Sequence, residues 1–312
     1  MLKILKIGTR GSKLALQQTR MIASQLERLN PTIKCEIVNI KTEGDKILDV
    51  PLAKIGGKGL FVKELDEALI DGRIDLAVHS MKDIPTELPT ELQIGAITIR
   101  EDPRDVLISG DNLILKHLPK NAVIGTCSLR RQTQLLNYSP NFHIVQLRGN
   151  LETRLRRVEA NALDAVILAA AGIHRMGWQA KITEYLPMDI CLPAISQGAL
   201  GIEIRKKQKK IQSIVSALDH PETAKAVLAE RALLRKLEGG CQVPIAAYGE
   251  IKNSQIYLQA MVGSLDGKRI IRDSESGSLD HVEKVGINLA KKLIKQGADK
   301  ILQEIIEAGK DA

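Results

Sequence analysis

Along the first two-thirds of the chain, short runs of β-branched and aliphatic residues alternate with stretches where apolar residues recur every three or four positions. The first pattern has the periodicity of a buried strand, the second that of a helix with one apolar face. Strands are predicted over 5–8, 33–40, 74–79, 123–126, 143–147 and 165–169, and helices over 13–29, 62–71, 129–137 and 152–160. Alternation of this kind builds largely parallel sheets with helices packed on them, so the fold class is α/β. Two segments echo each other: IGTRGSKLALQQ from Ile7 and IGTCSLRRQTQL from Ile124 both read strand, Ile-Gly-Thr, serine, helix. Two related lobes account for the echo, and so does coincidence over so few positions.

Beyond about residue 205 the texture changes. The basic run RKKQKK (205–210) gives way to helical segments, then to Gly239-Gly240-Cys241 and a strand pattern over 243–249, so a third domain is expected to begin near 220. A chain of 312 residues is long enough for two or three such units. The longest apolar run, 165–173, falls far short of the roughly 20 residues of a membrane span. The first residues run straight into a strand pattern without a cleavable apolar signal, so a soluble, cytoplasmic protein is expected.

Lys and Arg number 45 against 37 acidic residues, a net charge of +8 that suits nucleic acid, an acidic membrane or an anionic small molecule. One Trp, four Tyr and two Phe leave little for base stacking, and no nucleic-acid motif is present, so the small anion remains. Cys35, Cys127, Cys191 and Cys241 form no C-x-x-C pair, and none has a histidine at ligand spacing. No metal is expected. Of the six histidines, only His79 is left open to more than a surface or core reading.

The segment IDLAVHSMKDIP (74–85) reads as a buried strand ending in Lys82 and Asp83. Open α/β sheets bind ligands beyond the carboxyl ends of their strands, although Asp83 as a turn cap and Lys82 as a solvated lysine fit equally well. Arginines crowd the second segment: Arg130 and Arg131 after the Thr126-Cys127-Ser128 turn, Arg148 at a strand end, Arg154, Arg156 and Arg157 on a helix, then Arg175. Arginine pairs bidentately with carboxylates, so the cluster suggests a ligand carrying several of them, with Arg156 and Arg157 on an exposed helix face. Cys241 follows two helix-ending glycines and is either a covalent attachment point on a loop or a small buried apolar group. Gly44, Gly56, Gly57 and Gly59 with Lys54 and Lys58 suit a mobile basic flap or a loose surface loop.

The ordered motifs RGSKLAL (10–16), GGKGLFVKEL (56–65), AVHSMKDIP (77–85), EDPRDVLI (101–108), GTCSLRRQ (125–132), RGNLETRL (148–155), LDAVILAAAG (163–172), ISQGALGIE (195–203) and ERALLRKLEGGCQVP (230–244) closely resemble the porphobilinogen deaminase, or hydroxymethylbilane synthase, family. The resemblance implies three α/β domains, the first two like the lobes of periplasmic solute-binding proteins: 1–98 plus 199–216, 104–192, and a small third domain over 221–312. It implies a cytoplasmic, monomeric enzyme that condenses four porphobilinogen molecules head to tail, with loss of ammonia, on a dipyrromethane cofactor held by a thioether to Cys241. Asp83 falls on the family's catalytic aspartate. Lys82, Thr126, Ser128, Arg130 and Arg131 fall on cofactor-binding positions, and Arg10, Ser12, Arg148, Arg154 and Arg175 on substrate-binding ones. The sequence departs from the family pattern at Cys127, usually serine, and at Ser196, usually glycine. A non-catalytic anion-binding module of the solute-binding type would need the arginines but neither Asp83 nor Cys241. A cysteine hydrolase using Cys241 would need a nearby histidine that the sequence does not offer.

Overall fold

The computed structural model describes residues 4–46, 62–238 and 243–310. The chain begins with β1 (Ile4–Thr9) and α1 (Lys13–Leu29). This helix starts where the Ser12 hydroxyl accepts the Ala15 N–H at 3.2 Å, and it buries Gln18, Thr19, Ile22, Ala23 and Leu26, one stripe at helical spacing. Then come β2 (Lys34–Asn39), the single turn α2 (Glu43–Lys46), α3 (Lys63–Ile70), β3 (Leu76–Ser80) and β4 (Leu92–Ile97). A second series follows: β5 (Asp105–Ser109), β6 (Val123–Gly125), α4 (Leu129–Tyr138), β7 (His143–Val145), α5 (Leu151–Glu159), β8 (Ala165–Ala169), α6 (Ala170–Arg175) and β9 (Glu184–Tyr185). The chain ends with β10 (Leu200–Arg205), α7 (Lys209–Val215), α8 (Pro221–Lys236), β11 (Ile245–Lys252), β12 (Gln255–Gly263), β13 (Ile270–Ser278), α9 (Val282–Lys295) and α10 (Ala298–Lys310).

These elements form two compact units. One gathers the described residues up to 101 with 198–224, the other 102–197 with 225 onward. The first holds a five-stranded sheet in the order β2-β1-β3-β10-β4, the second a sheet in the order β7-β6-β8-β5-β9. In each, three parallel strands are followed by one antiparallel strand that also pairs with an edge strand. The strand arrangement and directions are the same, although the fourth strand comes last along the chain in the first sheet (β10) and first in the second (β5); β1 and β6, which carry the echoed segments, occupy the same central place in the parallel trio.

The echoed glycine has a packing reason. A Cβ on Gly8 would overlap the Ile74 side chain, and one on Gly125 would meet Leu147 and Leu163 at 2.7 Å. Ile74 and Leu163 each lie two residues before the third parallel strand of their sheet. The same close approach is therefore solved the same way in both units.

The second unit also contains a three-stranded antiparallel sheet, β11-β12-β13. Along β12, Ile256, Leu258, Ala260 and Val262 are fully buried and pack with residues of α8, α9 and α10, the period-two pattern of a sheet covered by helices. On the opposite face, Ala246 and Met261 pack with Leu192 and Met188. The Thr133 hydroxyl on α4 donates to the Ser264 carbonyl at 2.9 Å, and the Asn137 amide to that of Gly267 at 2.9 Å, so the turn between β12 and β13 is bonded to α4. Among the described residues, no helix is long and apolar enough to cross a membrane.

Ser196 has φ +63° and is fully buried, with no hydrogen-bond partner for its hydroxyl among the described residues. Its backbone N–H donates to Glu230 at 2.5 Å, which fixes the left-handed conformation. A side chain there costs about 1–2 kcal/mol of strain plus desolvation of the hydroxyl, against about 0.5–1 kcal/mol for glycine's extra unfolded-state freedom. Ser196→Gly is therefore expected to stabilise the protein by about 1 kcal/mol, read as a higher urea midpoint at unchanged slope; a lower midpoint would refute the strain argument.

Candidate functional site

In the first unit, β3 ends at Ser80 and passes into a 3₁₀ turn, Met81–Asp83, that places Lys82 and Asp83 just beyond the strand's carboxyl end. The Met81 N–H donates to the Ala199 carbonyl at 3.0 Å, fastening this turn to the chain leading into β10. Asp83 is exposed and Lys82 half-buried. Arg10 is half-buried just past the end of β1, and the Ser12 hydroxyl is committed to capping α1.

The equivalent turn of the second unit behaves differently. Thr126 is buried, and its hydroxyl accepts the Ser128 N–H at 3.2 Å. Ser128 is the N-cap residue of α4, yet its side chain makes no capping hydrogen bond. The helix start thus keeps both N–H donors and a hydroxyl available to an acceptor, the arrangement that favours anions.

Arg130 and Arg131, in the first turn of α4, are 4% and 5% exposed. Both converge on Asp105, which opens β5 and is fully buried. Arg130 Nη1 lies 2.7 Å from Asp105 Oδ2 and donates to the Leu192 carbonyl at 2.6 Å. Arg131 Nη2 donates to Asp105 Oδ1 at 2.7 Å, and its Nη1 to the Ile167 carbonyl at 2.8 Å. Gln197 Nε2 donates to the same carboxylate at 2.8 Å, and the Cys191 thiol at 3.3 Å. Burial alone would raise the Asp105 pKa; the two guanidiniums overcome it and hold the carboxyl far below the usual range. Burial, reinforced by the Asp105 charge, pushes the Cys191 thiol up to about 12, so it is an unreactive donor. The Nε atoms of Arg130 and Arg131 are buried without a hydrogen-bond partner. Native proteins seldom leave such donors unsatisfied, and these two fit the carboxylates of a bound anionic group.

Arg154, on α5, donates from Nε to the Gly149 carbonyl at 3.0 Å, and its Nη2 lies 3.4 Å from the Cys127 sulfur. Arg148 is half-buried beyond β7, and Arg175 ends α6 with 9% of its surface exposed. Arg156 and Arg157 face solvent, as the helix pattern predicts. Cys241 and the predicted flap's Lys54, Gly56, Gly57, Lys58 and Gly59 lie outside the described residues. Sequence reasoning did not single out Asp105, although a signal existed: an acidic residue heading the otherwise apolar strand DVLIS must be paired if the strand is buried.

A two-unit α/β protein with cationic side chains gathered beyond strand ends is the class these features define. Residues 5–213 match the family described as porphobilinogen deaminase, dipyromethane cofactor binding domain, and residues 224–295 match porphobilinogen deaminase, C-terminal domain. The chain belongs to the porphobilinogen deaminase family. It is 54% identical over 306 residues to the porphobilinogen deaminase of Geotalea uraniireducens, covering 98% of this chain and 96% of that one. It is 52% identical over 303 residues to that of Geobacter sulfurreducens, covering 97% and 95%. Among solved structures, the probable amino-acid ABC transporter extracellular-binding protein ytmK from Bacillus subtilis aligns with a TM-score of 0.43 at 11% identity, covering 69% of this chain and 89% of that one.

Removing one partner from a buried ion pair strands the other charge, a loss of about 3–5 kcal/mol. Asp105→Ala, which strands two guanidiniums, is expected to lower the urea midpoint by at least that much. Because the folded carboxyl is held below its unfolded value, its contribution is present above about pH 4 and lost as pH falls further. Acid unfolding followed by circular dichroism should therefore be steep in the wild type and flattened in Asp105→Asn. An Asp105→Asn protein with wild-type acid sensitivity would remove Asp105 from this account.

Proposed function

We propose that this chain is a porphobilinogen deaminase working as a hydroxymethylbilane synthase. It condenses four porphobilinogen molecules head to tail with loss of ammonia, then releases the linear tetrapyrrole by hydrolysis. The observation that carries the reading is the buried arginine pair with two unpartnered Nε donors, in a chain that matches the family along nearly its whole length. Each porphobilinogen unit brings an acetate and a propionate, so a growing chain multiplies the carboxylates that arginines must neutralise.

Bound through a thioether to Cys241, a dipyrromethane supplies a free pyrrole α-carbon on which the chain grows. Thr126, Ser128, Arg130, Arg131 and Lys82 are assigned to hold it, and Arg10, Ser12, Arg148, Arg154 and Arg175 to bind the carboxylates of incoming substrate. For Ser12 the assignment rests on its backbone and loop position, since its hydroxyl caps α1. Asp83 is assigned to the chemistry. When ammonia leaves the aminomethyl group, positive charge spreads onto the pyrrole nitrogen; a carboxylate beside the ring N–H stabilises it and takes up the proton lost on bond formation. The same reading makes the protein a cytoplasmic, monomeric transferase with domains over 1–98 plus 199–216, 104–192 and 221–312. A non-catalytic anion-binding module is not favoured, because relatives more than half identical over almost all of their length carry the name of an enzyme.

Mass spectrometry of the purified protein is expected to find a two-pyrrole adduct on the peptide carrying Cys241. An active enzyme with that peptide unmodified, or with the adduct on Cys127, would overturn the attachment. Asp83→Asn keeps the turn's shape and removes the charge, so turnover is expected to fall at least about a hundredfold, roughly 3 kcal/mol, with folding retained. Near-normal turnover by the folded, cofactor-loaded variant would exclude Asp83 from the chemistry.

A further inference from the structure

Along the strand that leads to the Lys82–Asp83 turn, the first unit buries a group of acids that has no adjacent Lys or Arg partner among the described residues. Ala77 packs with Leu65, Ala68 and Leu69 of α3, so His79, two residues on, points from the same face of β3. Glu203 on β10 is paired with Ala77 in the antiparallel ladder, which makes it a diagonal neighbour of His79. Glu203 Oε2 lies 3.0 Å from His79 Nε2, and these side chains are 1% and 3% exposed. Asp66, in the first turn of α3 and 9% exposed, is within hydrogen-bonding reach of Glu203. Among the described residues, Asp66 Oδ1, both Glu203 oxygens and His79 Nε2 otherwise have no hydrogen-bond partner.

Two carboxylates can hydrogen-bond only if one of them carries a proton, and their unsatisfied oxygens are what the pair would show without it. The neighbouring charges make matters worse for the ionised form. Glu64 and Glu67 lie on the same helix, and one Glu64 oxygen is itself buried without a partner. Arg205 shares the face of Glu203 on β10 but is committed to the carbonyls of Leu69 and Ile74 at the far end of α3. The start of α3 favours negative charge by about 1 kcal/mol at most. Burial and the Glu203 contact outweigh it and raise Asp66 to about 8. Among the described residues, no group of His, Cys, Asp and Glu side chains is placed to hold a metal ion.

We propose that Asp66 and Glu203 share a proton and, through His79, hold the strand end bearing Lys82 and Asp83 in its working position, so that turnover depends on a proton outside the groups that touch substrate. Losing that proton sets two negative carboxylates in contact between α3 and β10. The contact then repels, α3 draws away from the sheet, and the end of β3 loses the packing that fixes the turn. Asp66, Glu203 and His79 are positioning residues in this scheme. The inference rests on the assignment of Asp83 to the chemistry.

Infrared difference spectra of the wild-type holoenzyme between about pH 6 and pH 9 read the shared proton directly. The expected result is a buried carboxylic-acid carbonyl band that disappears on alkalinisation and is missing from Asp66→Asn. The rate profile is the second readout: wild-type kcat should fall to roughly one-tenth of its neutral value one pH unit above the midpoint. Asp66→Asn, which donates to Glu203 without titrating, should stay within a few-fold of wild type at neutral pH and lose that alkaline fall. Stability carries the same sign, since a carboxyl raised on folding destabilises increasingly as pH climbs from its unfolded value to about 8. A wild-type spectrum with no titrating acid band overturns the proposal even if Asp66→Asn and Glu203→Gln both misfold. An unchanged alkaline limb in either folded variant overturns it too. Full turnover in Asp83→Asn would instead sink the assignment of Asp83 and leave the infrared band standing.

Discussion

The carboxylate of Asp105 is the point on which the second unit is organised. It is fully buried, and it collects Arg130 and Arg131 from α4, the Cys191 thiol from the loop beyond β9, and the Gln197 amide from the segment leading back to the first unit. A lone buried carboxylate would be prohibitive, and so would two lone guanidiniums; together they form a nearly saturated network. The remaining charge is one positive unit, and the two buried Nε edges are where the network stays unsatisfied. The same ion cluster therefore welds helix, loop and crossover together at a helix start.

The first unit uses the opposite electrostatics on the same strand arrangement. There the buried carboxyls of Asp66 and Glu203 meet a histidine instead of guanidiniums, and their proton stands in for the missing cation. One unit thus holds its charge fixed across the neutral range, while the other carries a group that titrates within it. Sheets of identical strand order can be given rigid or proton-sensitive interiors by changing a few side chains facing one helix.

Much of the first two-thirds was legible in the sequence because its signals are local. The apolar periodicity predicts α1 over the range it occupies, and the abrupt polar end of the β3 segment predicts where Lys82 and Asp83 emerge. The burial of Arg130 and Arg131 was not legible. Two adjacent arginines at a helix start read as a solvent-facing or ligand-facing pair, and what draws both inward is an aspartate some 26 residues away, with a thiol 61 residues away beside it. The unpaired acids were hidden for a related reason: Asp66 sits in an ordinary acidic first helical turn, and only the antiparallel return of β10 brings Glu203 against it. The strain at Ser196 was hidden too, since a left-handed backbone leaves no local signal in a serine.

The position of β10 has a consequence for synthesis on the ribosome. It lies between β3 and β4, yet it is made about a hundred residues after β4, once the whole five-stranded sheet of the second unit has emerged. At typical elongation rates of about 5–20 residues per second, the nascent β3 and β4 wait roughly 5–20 seconds for their shared neighbour. Their inner edges stay unpaired throughout, an opening for strand addition by another chain. The N-terminal sheet is then the later of the two five-stranded sheets to close, and nascent molecules stalled or truncated before Leu200 would be the aggregation-prone species that chaperones meet.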